Sequence, residues 1–167
     1  MPEKRTLKRA RKDRREGKSP GTQAGEFVRE EVHHVREGKH GARSAKQAVA
    51  IGLSKARRAG VKLRPPKKGR ASARTRNQAN RAYAAGQRSD KHAVSPKRSR
   101  AISSALKREG KKAASHTALS RQARSSARMR GSASRHRAAL KAVRTKGRAE
   151  LQRAARKAAR TRASRRK

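Results

Sequence analysis

The chain has 167 residues, with 52 Lys and Arg against 10 Asp and Glu, for a formal net charge of +42. Leu, Val, Ile and Phe together number only 17, whereas alanine numbers 32. So few large apolar residues and so much charge exclude a conventional globular core and predict extensive disorder in isolation.

Other classes fall by composition. The absence of cysteine excludes disulfides, thiolate zinc sites and cysteine nucleophiles. One Tyr, one Phe and no Trp leave no aromatic centre. The longest mostly apolar run, Gln47 to Ser54, is far too short to span a bilayer. The N-terminal segment is basic but lacks an apolar stretch, so it does not read as a secretory signal. The expectation is a soluble intracellular polycation.

In chain order, residues 1–21 read as a basic arm. Leu7 and Ala10 share one side of a solvated or transient helix, Gly17 stops it, and Ser19-Pro20-Gly21 makes a turn. Residues 22–63 carry the clearest pattern. Ala24, Phe27, Val28, Val32 and Val35 recur at helical spacing and fill a stripe about 140° wide. Thr22 is the expected N-cap and Gly38 the C-terminal stop. Glu31 falls inside the stripe, where it either snorkels or pairs with a base on the neighbouring helix.

Ser44-Ala45-Lys46-Gln47 is a capping box that starts a second helix, and Gly60 follows its last turn. Ala45, Ala48, Val49, Gly52, Leu53, Ala56 and Ala59 share its small-residue face. Gly52 costs about 1 kcal/mol in a helix, which makes sense where another helix approaches closely. The pattern predicts a two-helix hairpin with a core of Phe27, Val28, Val32, Val35, Val49, Gly52 and Leu53, with Val61 and Leu63 folding back over its open end. A unit of about 40 residues is marginal alone, so a homodimer through the hairpin is plausible.

Pro65 and Pro66 mark a linker over 64–69. Residues 70–167 then read as a largely disordered basic tail with short Ala/Arg-rich helices broken at Gly110, Gly131 and Gly147. The overall expectation is a mostly α chain made of hairpin and tail.

The basic residues are the candidate site. Residues 64–167 hold 34 basic and 3 acidic residues, so the charge is concentrated there. A polycation of this density calls for a polyanion, and arginine, with 33 copies against 19 lysines, favours bidentate phosphate contacts. On the hairpin and linker the candidate phosphate ligands are Arg43, Lys46, Lys55, Arg57, Arg58, Lys67 and Lys68. Between Pro96 and Gly131 they are Lys97, Arg98, Arg100, Lys107, Arg108, Lys111, Lys112, Arg121 and Arg124. Beyond it they are Arg135, Arg137, Arg153, Arg156, Lys157 and Arg160. Such contacts position a protein on nucleic acid without reading sequence.

Base readout has little support. Phe27 belongs to the apolar stripe, and only Tyr83 is available for stacking. Ser95-Pro96-Lys97-Arg98 resembles the basic minor-groove motifs of histone tails, but it also reads as a helix cap with proline at the first position. His33, His34 and His40 lie among Glu30, Glu31 and Glu37, yet Gly38 breaks the helix before His40 and no two histidines are four apart. No metal site, cofactor or catalytic residue is therefore expected.

The words Gly25-Glu26-Phe27-Val28-Arg29-Glu30-Glu31, Arg36-Glu37-Gly38-Lys39-His40-Gly41-Ala42-Arg43-Ser44 and Ile51-Gly52-Leu53-Ser54 resemble a family of small basic bacterial proteins of unknown function. The resemblance covers about 20–69 and implies a bacterial cytoplasmic setting, with no catalytic residues. In composition the tail is similar to linker-histone tails and bacterial histone-like proteins. The expected function is sequence-independent DNA binding in the nucleoid. Its rivals are an RNA- or ribosome-associated protein and a protein-interaction module localised by the tail. A membrane partner is not expected, because no basic helix carries a broad apolar face.

Overall fold

The computed structural model describes residues 2–88 and 95–164. Among them are seven α-helices: α1 (Lys4–Arg15), α2 (Pro20–Glu37), α3 (Ala45–Arg58), α4 (Ala73–Gln87), α5 (Pro96–Lys107), α6 (His116–Arg130) and α7 (Ser132–Ser164). A single 3-10 turn, Lys112–Ala114, precedes α6. This overturns the expectation of a two-helix hairpin with a largely disordered tail. The chain divides into two compact units, 1–122 and 123–167.

In the first unit, α2 and α3 form the expected antiparallel pair, but α2 starts earlier than the pattern predicts. Ser19, not Thr22, is the N-cap: its Oγ accepts from the Thr22 N–H at 3.3 Å, with Pro20 at the first helical position. Proline's fixed φ suits that position, so the predicted Ser-Pro-Gly turn is a helix start. Gly38 ends α2 in the left-handed conformation at φ 78°. Ser44 caps α3 by accepting from the Gln47 N–H at 3.2 Å, and the Gln47 side chain accepts from the Arg43 N–H at 2.8 Å.

The hairpin core is closed at both ends by other parts of the chain. At one end Phe27 and Ala24 pack with Ala56, Val61 and Ala10 of α1, with Leu7, Leu53 and Leu63 against them. At the other, Val32, Val35 and Ala48 pack with Ala42, Ala113 and Ala114, with Val28 and Leu119 against them. Phe27 and Val35 are fully buried, and each such burial contributes about 1.5–3 kcal/mol. Val49 is only half-buried. The arm is therefore a docked helix rather than a solvated one, because Ala10, Thr6 and Asp13 are buried.

Two docking events correct the reading of residues 70–114 as tail. First, α4 lies on α3, burying Ala79 and Ala82. Gly86 approaches the Arg57 carbonyl so closely that a Cβ would overlap it. Second, the end of α5 and the segment after it bind the end of α2 and the α2–α3 turn. Gly41 N–H donates to the Leu106 carbonyl at 2.8 Å, Ala42 N–H to that of Gly110 at 3.2 Å, and Arg36 Nε to that of Ala114 at 2.9 Å. Alanine's small area made these segments look unable to pack. The same smallness lets backbones approach and hydrogen-bond directly.

In the second unit, α7 is interrupted at Gly147, whose φ 76° and ψ 158° only glycine adopts readily. Gly131, at φ 78°, separates α6 from α7. No residue of α7 is buried, and Leu140 remains 57% exposed.

Candidate nucleic-acid interface

The acidic residues of positions 1–63 are used internally. Asp13 pairs with Lys18 at 2.8 Å and Glu16 with Lys18 at 2.7 Å. Glu26 lies 3.4 Å from Arg29 and 3.6 Å from Arg9, and Glu37 is 3.1 Å from Lys39. His34 Nε2 lies 2.8 Å from Glu3, and this hydrogen bond, helped by Lys39, holds the Glu3 carboxyl below its ordinary value of 4.5. The hydrogen bond from Lys18 lowers Glu16 likewise.

Glu31 is the acid predicted inside the apolar stripe. It is fully buried and pairs across the hairpin with Lys55, whose Nζ lies 2.6 Å from Oε2, while His40 Nε2 of the following turn lies 3.3 Å from Oε1. Lys55 also lies 3.6 Å from Glu30. Of the two readings open for Glu31, pairing with the neighbouring helix is the one observed.

This changes the place of two candidate phosphate ligands. Lys55 is occupied by the two buried glutamates. Arg57 is buried, its Nε donating to the Leu63 carbonyl at 3.2 Å, and burial pushes its guanidinium down from its ordinary value. Lys55 turns toward α2, whereas Arg57, on the other side of α3, is covered by the chain that follows it, and helical spacing alone revealed neither.

The other candidates are exposed. Arg43, Lys46 and Arg58 lie on or beside α3, and Lys67 and Lys68 on the following link. Lys97, Arg98 and Arg100 are exposed on α5, with Lys107 and Arg108 at its end and Lys111 and Lys112 after it. Ser95 Oγ accepts from Arg98 N–H at 3.5 Å with Pro96 at the first position, so the cap reading of that motif describes the local geometry. Tyr83 is half-buried on α4. Arg121 and Arg124 are exposed on α6.

In the second unit, Arg135 and Arg137 open α7 and are exposed. Arg153, Arg156, Lys157 and Arg160 follow at positions i, i+3, i+4 and i+7, which places four exposed cations on one helical face. Four charges over eight residues span about 10 Å of helix axis. Along all of α7 the only acidic residue is Glu150, which sits 4.0 Å from Lys146.

The turn holds a feature that the sequence reading missed. Gly38 was expected to separate His34 from His40. Its left-handed turn instead brings His40 back beside His34, with ring centroids 6.0 Å apart and edge to face. One ligand atom each from Glu31, His34 and His40 lie within 4.8 Å of one another. The signal available was the Gly38 stop itself, since a helix C-cap that reverses the chain can return a residue to the last turn.

The fold and these faces define an all-helical basic protein in which, among the described residues, no helix is long and apolar enough to cross a membrane. Residues 21–68 match the model of a family of unknown function, DUF6496, over the stretch where the resemblance was noted. No curated protein and no solved structure matches the chain.

Proposed function

We propose that this protein binds duplex DNA through its phosphates, without reading base sequence, and neutralises and bridges duplexes in a bacterial nucleoid. The observation that carries this reading is the separation of charge. The acids of residues 1–63 are absorbed in ion pairs of the first unit, whereas residues 96–164 hold 22 Lys and Arg against Glu109 and Glu150. Like charges four apart on a helix repel, so the Arg153–Arg160 face costs stability until an anion meets it. Duplex DNA carries one charge per about 1.7 Å, and a net +42 matches about 70 Å of it, roughly 20 base pairs. Arginine forks and phosphates then provide bidentate contacts.

The test is a binding series on mixed-sequence duplex DNA across salt, with structured RNA as competitor. The expected result is a steep linear fall of log K with log salt through counterion release. A flat salt response, or preference for the RNA competitor, rejects the DNA reading.

A further inference from the structure

We propose that Glu31, His34 and His40 form a binding site for a divalent transition-metal ion of the zinc class. The inference is independent of the nucleic-acid reading.

The geometry begins with the two imidazoles. Metal-bound histidines usually donate their other ring N–H to a carboxylate or carbonyl, which fixes the tautomer. Both histidines have such a partner. His40 Nδ1 lies 3.0 Å from the Gly41 carbonyl, which assigns its proton to Nδ1 and leaves a lone pair on Nε2. His34 Nε2 lies 2.8 Å from Glu3 Oε1, which assigns Nδ1 as its ligand atom.

The His40 Nε2 lone pair therefore faces Glu31 Oε1, an oxygen that is buried and accepts no hydrogen bond. Two acceptors turned toward each other require a cation between them. It is either a proton, giving an imidazolium–carboxylate pair, or a metal ion. Their separation is 3.3 Å. Two atoms each about 2.0 Å from a tetrahedral ion lie about 3.3 Å apart, so the spacing is that of two ligands on one centre. Lys55 occupies Oε2, which leaves Glu31 monodentate through Oε1.

Two imidazoles and one carboxylate suit zinc and its neighbours rather than magnesium or calcium. Glu3 and Glu30 add negative charge around the cluster, against Lys39 and Lys55. The three ligands come from the last turns of α2 and the turn that follows it. That turn is the one whose Gly41 and Ala42 N–H groups hold residues 106–110. An ion here would brace the surface on which that segment docks.

The experiment uses the full chain, dialysed against chelator and then titrated with Zn2+ by calorimetry near neutral pH. Co2+ is added in parallel and its visible absorption recorded. One equivalent of Zn2+ is expected to bind with micromolar or tighter affinity, and Co2+ to show the intense bands of a low-coordinate site. H34Q and H40Q should each weaken binding at least about tenfold, E3Q should weaken it by about tenfold through the lost partner, and H33Q, exposed on the same helix, should leave it unchanged. Circular dichroism confirms that each variant is folded. Should H40Q not fold, H34Q carries the comparison. Absence of Zn2+ binding overturns the proposal and assigns the His40–Glu31 contact to a proton. Binding that survives both H34Q and H40Q overturns it equally.

Discussion

Gly41 donates its backbone N–H to the carbonyl of Leu106, 65 positions later, at 2.8 Å. A Cβ on Gly41 would overlap the carbonyl oxygen of Glu109. The α2–α3 turn and the end of α5 with the residues after it thus meet backbone to backbone, and only glycine permits it. Gly41→Ala is expected to lose about 1–3 kcal/mol, the usual cost of overpacking a fixed contact. Hydrogen exchange should show protection lost at 113–115 and at Gly41 and Ala42 while α2 stays protected. Unchanged exchange there contradicts the docking.

The same logic applies on α3. A Cβ on Gly52 would come within 2.7 Å of Val28 Cα, and one on Gly86 would overlap the Arg57 carbonyl. Gly52→Ala and Gly86→Ala should each lower the unfolding temperature, although alanine is the better helix former by about 1 kcal/mol. If propensity decided the outcome instead, both variants would be more stable than the parent.

Lys55 and Lys97 are both lysines on a predicted basic face, yet their consequences should differ. Lys55→Met leaves Glu30 and Glu31 buried without their cation, and removing one partner of a buried pair costs about 3 kcal/mol or more. Lys97→Met changes an exposed side chain and should leave stability within about 0.5 kcal/mol. Denaturant unfolding of the two variants side by side checks this contrast.

Acid should weaken the contact between residue 3 and α2. The hydrogen bond from His34, aided by Lys39, lowers the Glu3 pKa, so this carboxylate stabilises the fold above its ordinary value of 4.5. The contribution is lost as pH falls through the lowered value. Parent and Glu3→Gln should therefore differ in unfolding temperature at pH 6 and converge toward pH 3. Lys18 is the opposite case. Its hydrogen bonds with Asp13 and Glu16 raise its pKa, so its contribution holds below its ordinary value of 10.5 and fades only as pH rises through the raised one.

The α7 face is the most direct handle on the proposed DNA contact. Replacing Arg153, Arg156, Lys157 and Arg160 by Gln should reduce the slope of log K against log salt by about 3–4 if all four meet phosphates. The loss should be the same for duplexes of different sequence. The unfolding temperature should not fall, because none of the four is buried.

Much of the local structure was legible in the sequence, because it depends on neighbours a few residues apart. The Ser44–Gln47 cap, the Gly38 stop and the Gly147 break follow from side-chain hydrogen bonding and glycine's conformational freedom. The apolar spacing of Phe27, Val32 and Val35 likewise identified the buried face of α2. The pairing of Glu31 was legible as one of two alternatives.

Tertiary structure decided what those helices touch. Counting large side chains predicted a hairpin with a disordered tail, since Ala79, Ala82, Ala113 and Ala114 offer little area each. They are nonetheless buried, because small residues and Gly41 and Gly86 let backbones come close enough to hydrogen-bond and pack. Nor did spacing along α3 show that Lys55 turns toward α2, that Arg57 is covered by the chain that follows it, or that the Gly38 turn returns His40 to His34. By itself the sequence determined the hairpin helices with their caps and stops, and the excess of positive charge, which are local and compositional properties. Which cations stay free and which acids are spent depends on contacts between distant residues, and only the fold supplies those.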